Sequence, residues 1–140
     1  MTDTSLGFRP RYRLSGGPFT IQTLTIKDTE TLTKGDIVNL ETGEIDLGAT
    51  NDTAFVGVVM ETKAGTDSTT TFQCITDADA VYGVYDANAR AIGATLDISG
   101  TTGAMTVASS SSADLLVVAD STATEETLVM INHGEHFKQP

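Results

Sequence analysis

The segment "HGEH" near the C-terminus sets His133, Glu135 and His136 within four residues, and imidazole and carboxylate groups at that density are competent ligands for zinc or nickel. Such a site needs a helix to put both imidazoles on one face. No helical pattern accompanies these residues, so the expectation is a solvated polar segment and no metal. "TDADA" places Asp77 and Asp79 at the i, i+2 spacing that opens many calcium loops, but the Gly and closing Glu of such a loop are missing. It reads as a turn with two solvated carboxylates. Cys74, the single cysteine, lies in "TTTFQCIT" between apolar neighbours; it excludes an intramolecular disulfide and reads as a buried, inert thiol. Acid–base or nucleophilic catalysis needs an activated residue held by a partner. The two histidines both fall near the C-terminus, and no G-x-S-x-G elbow, G-x-G-x-x-G loop or P-loop occurs. The expectation is therefore a protein that is not an enzyme, with no cofactor and no small-molecule substrate.

The other pattern with chemical content is "GFRPRYRL". Arg9, Arg11 and Arg13 alternate with Phe8, Tyr12 and Leu14 in a chain whose formal charge is −11. Residues 1–27 hold four basic residues against Asp3 alone, and the remaining 113 hold four against 18 carboxylates. Such an acidic body repels nucleic acid and anionic membrane, and a few arginines supply few phosphate contacts, so neither is expected as a partner. Arginine and tyrosine concentrate at interface hot spots. An extended segment with guanidinium groups on one edge and apolar groups on the other also suits strand addition to another protein. Phe8, Arg9, Arg11, Tyr12, Arg13 and Leu14 are accordingly the candidate partner-binding residues, and Gly16-Gly17-Pro18 behind them is a hinge.

The elements that would carry these residues read as strands. The chain has 140 residues, 39% of them hydrophobic, which is enough for one core. Its 24 threonines are β-branched and favour strands over helices. In "FTIQTLTI" the apolar alternation slips by one near Gln22 and Thr23, predicting a bulge or corner there. "GDIVNLETGEIDLG" is a hairpin, with Val38 and Leu40 facing Ile45 and Leu47 across Glu41–Glu44. "AFVGVVM" is apolar on both faces, and Gly57 within it marks close approach of another backbone. Val81–Tyr85 reads as a strand followed by a short helical turn ended by Gly93; Leu96 and Ile98 face Met105 and Val107 in a second hairpin. "LLVVA" and "LVMI" read as central strands buried on both faces. Eight or nine short strands joined by polar turns predict an all-β fold, a small β-barrel or sandwich of one domain. The expected division is an extended N-terminal arm at 1–18, the β domain at 19–137 and a tail at 138–140, with the arm and "EHFKQP" outside the barrel. No apolar run approaches the roughly 20 residues of a membrane-spanning helix, and residues 1–20 lack the apolar core of a signal peptide. Synthesis and retention in a cytoplasm are expected.

Taken in order, "LTKGDIVNLETGEI", "AFVGVVMETK", "ITDADAVYGVYDANARAIGATLDISG" and "EETLVMINHGEHF" resemble the capsid decoration (cement, or head-stabilising) proteins of tailed bacteriophages. The resemblance covers Leu32 to Phe137 and is one of pattern: a K-G-D strand start, an acidic hairpin, a G-V-V strand and two closing strands. It implies a small β-barrel or β-tulip domain on the outer surface of the virion. It further implies a homo-trimer that locks neighbouring major capsid protein subunits together. In such proteins a flexible N-terminal arm orders on the shell, and Phe8–Leu14 is the matching part, arginine-rich where many such arms are Thr- and Pro-rich. The alternative is another virion component, such as a head–tail connector, tail or spike subunit.

Overall fold

The computed structural model describes residues 7–27, 30–49, 52–65, 70–109, 113–122, 125–132 and 134–137. Thirteen strands run through them: β1 (Arg9–Arg13), β2 (Ile21–Thr25), β3 (Thr31–Leu32), β4 (Ile37–Glu41), β5 (Glu44–Leu47), β6 (Phe55–Val58), β7 (Lys63–Ala64), β8 (Thr71–Ile75), β9 (Ala80–Asp86), β10 (Thr95–Ser99), β11 (Thr106–Ser109), β12 (Leu115–Val117) and β13 (Glu125–Ile131). The chain is all-β, in keeping with the strand preference of its many threonines.

The largest sheet has the order β1-β9-β13-β12-β10-β11. A three-stranded sheet β5-β4-β6 and the pairs β2-β8 and β3-β7 make up the rest. Among the described residues no sheet closes, so the predicted barrel is not formed there. Single bridges join the smaller sheets instead: Val59 to Cys74 links the end of β6 to β8, and Ile26 to Ile45 links β2 to β5. The core is accordingly double. One cluster, containing Phe8, Phe55, Tyr82, Ile98 and Val129, lies under the six-stranded sheet. The other, containing Ile26, Val38, Val56, Phe72 and Cys74, lies among the smaller sheets.

Both predicted hairpins are present, the first in the expected register and the second shifted, with Leu96 opposite Ser109 and Met105 before the start of β11. Val38 faces Leu47 and Leu40 faces Ile45, around a two-residue turn in which Thr42 and Gly43 both take positive φ, the geometry whose twist matches the flanking strands. Ile98 faces Val107 in the second. Gly57 sits where a Cβ would lie 1.8 Å from the Ile75 carbonyl oxygen, so only glycine allows the approach of that backbone.

Three expectations are corrected. The slip in "FTIQTLTI" produces no bulge, because β2 pairs regularly with β8 from Ile21–Ile75 to Thr25–Thr71; Ile21 is simply left exposed. No helical turn follows β9. There the Asp86 carboxylate accepts from the Asn88 amide (3.0 Å) and Arg90 Nε (2.6 Å), which holds an open loop. Finally, β13 is central but buried on one face only: Thr127, Val129 and Ile131 are buried while Leu128 and Met130 stay partly open.

Candidate functional site

The arginine-rich segment does not hang free. From Arg9 to Arg13 it is the edge strand β1, antiparallel to β9, with Arg9 opposite Gly83 and Arg13 opposite Ala80. Phe8, immediately before it, is 1% exposed and belongs to the main core. Backbone bonds fix the entry: Gly7 N donates to Met105 O (2.7 Å) and Phe8 N to Gly35 O (2.8 Å). The expectation that residues 1–18 lie outside the β domain is thus overturned for 8–14, while residues 1–6 fall outside the described residues. The physical reason is a buried aromatic: Phe8 takes roughly 150–250 Å² out of water, about 4 kcal/mol at the lower end, which offsets part of the entropy of ordering the segment.

A bulge at Arg11 decides where the three guanidinium groups go. In a regular strand positions 9, 11 and 13 share one face. The register shift between Pro10 and Tyr12 inserts one residue, and every later side chain changes face. Arg9 and Arg11 therefore converge on Glu126 of β13. Arg9 Nε and Nη2 donate to Oε2 at 3.2 and 3.1 Å, Arg11 Nε donates to Oε1 at 2.7 Å, and Arg11 Nη2 also reaches Oε2. The space for this carboxylate comes from Gly83, where a Cβ would lie 2.2 Å from it. The hydrogen bonds from Arg11, then those from Arg9, hold Glu126 below the usual carboxylate range against the opposing effect of burial.

Arg13 turns to the other side, where its Nε meets Asp79 Oδ1 at 2.9 Å and Asp77 Oδ1 at 3.5 Å. Asp79 also accepts from Ser15 N (3.1 Å), and Asp77 from Thr20 N (2.6 Å). Burial pushes Asp79 up, but the hydrogen bonds from Arg13 and Ser15 outweigh it and leave its carboxyl below the ordinary value. Of the "TDADA" carboxylates Asp77 is buried and Asp79 only partly exposed, and both are bonded to the chain. They anchor the connection from β1 to β2. Partly exposed pairs of this kind contribute little to stability, so they set register while Phe8 supplies the hold.

What remains outward on this edge is Tyr12 (45% exposed), Leu14 (57%) and the half-exposed Arg11. Of the six candidate partner-binding residues, the structure thus leaves Tyr12 and Leu14 facing solvent, ties Phe8, Arg9 and Arg13 into the fold, and keeps Arg11 half-exposed while bonded to Glu126. Beside the start of β1 a cleft of about 230 Å³ opens between Phe8–Pro10, Lys34–Gly35 and Val59–Met60, below the roughly 300–1,000 Å³ of ordinary small-molecule sites.

The other candidates fall elsewhere. Cys74 is buried as expected, and burial pushes its thiol up to about 12, which makes it a poor nucleophile. His133 lies outside the described residues. His136 is 1% exposed, its Nε2 3.0 Å from the Val56 carbonyl oxygen, in a segment joined to the sheet by the Phe55 N to Glu135 O and Phe137 N to Phe55 O bonds. The expected solvated tail is thus part of the fold as far as Phe137. Among the described residues no three His, Cys, Asp or Glu side chains form a group able to hold a metal.

Sequence reasoning missed Asp36. Its buried carboxylate accepts from Thr33 N (2.8 Å), Gly103 N (2.9 Å) and the Thr102 hydroxyl, tying the start of β4 to the β10–β11 turn. The "TKGD" spelling at a strand start was the available signal, since a carboxylate three residues after Thr closes such a turn.

No protein-family model matches the chain, and no curated protein matches it. Its structure is similar to the crystal structure of the head fiber gp8.5 N base in bacteriophage phi29, with a TM-score of 0.51 and 15% sequence identity. The match covers 81% of this chain and 95% of that one. At that identity the two share a fold.

Proposed function

We propose that this chain is a structural protein of a phage particle, bound to the outer surface of the head, where it stabilises the shell as a decoration protein. The observation that carries the reading is the fold likeness to a head fiber base over 81% of the chain, joined to the independent resemblance of its strand motifs to decoration proteins. The partner in this reading is the major capsid protein, and the chain acts as a homo-trimer without turning over any substrate. Arg11, Tyr12 and Leu14, on and just after β1, form its docking edge: Tyr12 and Leu14 give apolar area and the half-exposed Arg11, paired with Glu126, gives positive charge. Three weak docking edges on one trimer would hold far better than one, since release requires all to part together.

Because the structural neighbour is the base of a head fiber, its likeness also favours a second reading, in which the domain is the shell-bound base of a fiber or another virion component. Imaging undecorated heads after mixing with the purified chain separates the two. Density repeated over the whole shell supports decoration, and density at a few positions or one vertex supports the fiber or connector reading. Absence of bound chain on heads of the source phage would sink both.

A further inference from the structure

Strand β1 packs mainly on β9, and the groups that fasten it belong to the body of the domain: β9 itself, Glu126, Asp77 and Asp79, and the Gly35 and Met105 carbonyls. The link to β2 is fastened at its ends, by Leu14 N to Asp79 O (3.0 Å), Ser15 N to Asp79 Oδ2 (3.1 Å) and Thr20 N to Asp77 Oδ2 (2.6 Å), and is open between them. Leu14, Ser15, Gly16, Gly17 and Pro18 are all exposed, and Gly16, at φ +83°, has no atom within 4 Å of where a Cβ would stand. In the link or in the strands that flank it lie three of the five exposed large hydrophobic residues of the described chain, Tyr12 in β1, Leu14 in the link and Ile21 at the start of β2, at 45%, 57% and 49%.

We infer that β1 exchanges between two copies of this chain, each inserting its Phe8 and arginines into the other. The partner follows from complementarity. The groove that accepts β1 is made of residues of this chain, so a second copy presents the same β9 edge, the same Phe8 slot and the same carboxylates. The fastening bonds are then kept, and only the link's own contacts open, chiefly Gly16 N to Arg13 O (2.9 Å) and Arg13 Nη1 to Pro18 O (3.1 Å). In the exchanged pair the two links run side by side. Leu14 and Ile21, left in water by the closed chain, come against their counterparts, which supplies a driving force absent from the single copy. The inference does not depend on the capsid reading and concerns the chain free of a shell, as a pair and not as that reading's trimer; it takes Leu14 into the pair and leaves Arg11 and Tyr12 outward.

Tyr12 and Val81 are paired across β1 and β9, so Tyr12→Cys with Val81→Cys gives a cross-link that reports which chain supplies the strand. Buried Cys74 stays out of the reaction. Unlabelled and nitrogen-15-labelled chains of this double variant are mixed, incubated over a range of concentrations, oxidised and weighed intact. The expected result is a disulfide-linked dimer of one light and one heavy chain whose fraction rises with concentration; cross-links confined to single chains at every concentration overturn the inference. A second variant leaves the core untouched. Deleting Gly16 and Gly17 shortens the link so that β1 cannot close on its own body, and light scattering should find a dimer with unchanged β circular dichroism. A folded monomer refutes the inference. Leu14→Ser with Ile21→Ser should lower the wild-type dimer fraction at least tenfold, and an unchanged fraction removes the proposed driving force.

Discussion

Replacing Phe8 by alanine tests whether β1 is an integral strand. Phe8 is 1% exposed, and a buried phenylalanine removes roughly 150–250 Å² from water. At about 25 cal/mol per Å² the lower end of that range gives about 4 kcal/mol, in line with the roughly 3–5 kcal/mol measured for such truncations. A domain of this size holds about 5–15 kcal/mol in all, so the loss is a large fraction of the whole. With a urea dependence of about 2 kcal/mol per molar, the unfolding midpoint should fall by about 2 M. Far-ultraviolet circular dichroism follows the transition, and tyrosine emission gives a second probe because the chain has no tryptophan and Tyr82 faces Pro10 across β1 and β9. Tyr12→Ala, at a side chain nearly half exposed, should cost about 1 kcal/mol or less and serves as the control. A Phe8→Ala midpoint within about 0.3 M of the wild type refutes the reasoning, because it means that β1 rests on the domain without being held by it.

The Glu126 and Asp79 carboxyls sit below their unfolded values, so their contribution is present above about pH 4–4.5 and is lost as pH falls through the lower folded values. The urea midpoint should decline below about pH 4, and Glu126→Gln should flatten that decline; identical acid profiles for the two proteins contradict the assignment. Asp46 shows the opposite sign. Burial, followed by the hydrogen bond and charge of Glu41, pushes it up to about 6, so its ionised form opposes folding as pH rises through that range. Asp46→Asn should raise the midpoint at pH 7.5 and leave it nearly unchanged at pH 4, and a lower midpoint at pH 7.5 reverses the argument. Gly57→Ala puts a methyl 1.8 Å from the Ile75 carbonyl oxygen and should abolish the cooperative transition; a variant with wild-type stability shows that β6 and β8 can part.

Elements with local signatures were legible in the sequence. The turn Thr42-Gly43 and the alternation of Val38, Leu40, Ile45 and Leu47 specify the β4–β5 hairpin within a dozen residues. The isolation of Cys74 among apolar neighbours marked its burial, and Gly57 marked a close backbone. The arginine segment was legible as a strand with a bias of charge, but not as a strand of this domain. Its partners are Gly83 and Glu126, more than seventy positions away, and alternation alone is blind to which edge a strand pairs with.

By itself the sequence determined the all-β class, the two hairpins and the division between an acidic body and a basic leader, because strand propensity, turn chemistry and charge are properties of neighbouring residues. Only the tertiary structure decided that the sheets stay open, that a bulge at Arg11 sends Arg9 and Arg11 to Glu126 and Arg13 to Asp79, and that His136 and Phe8 are interior. Those outcomes depend on which distant edges meet, and a strand's side-chain period of two is the same for every edge it could join.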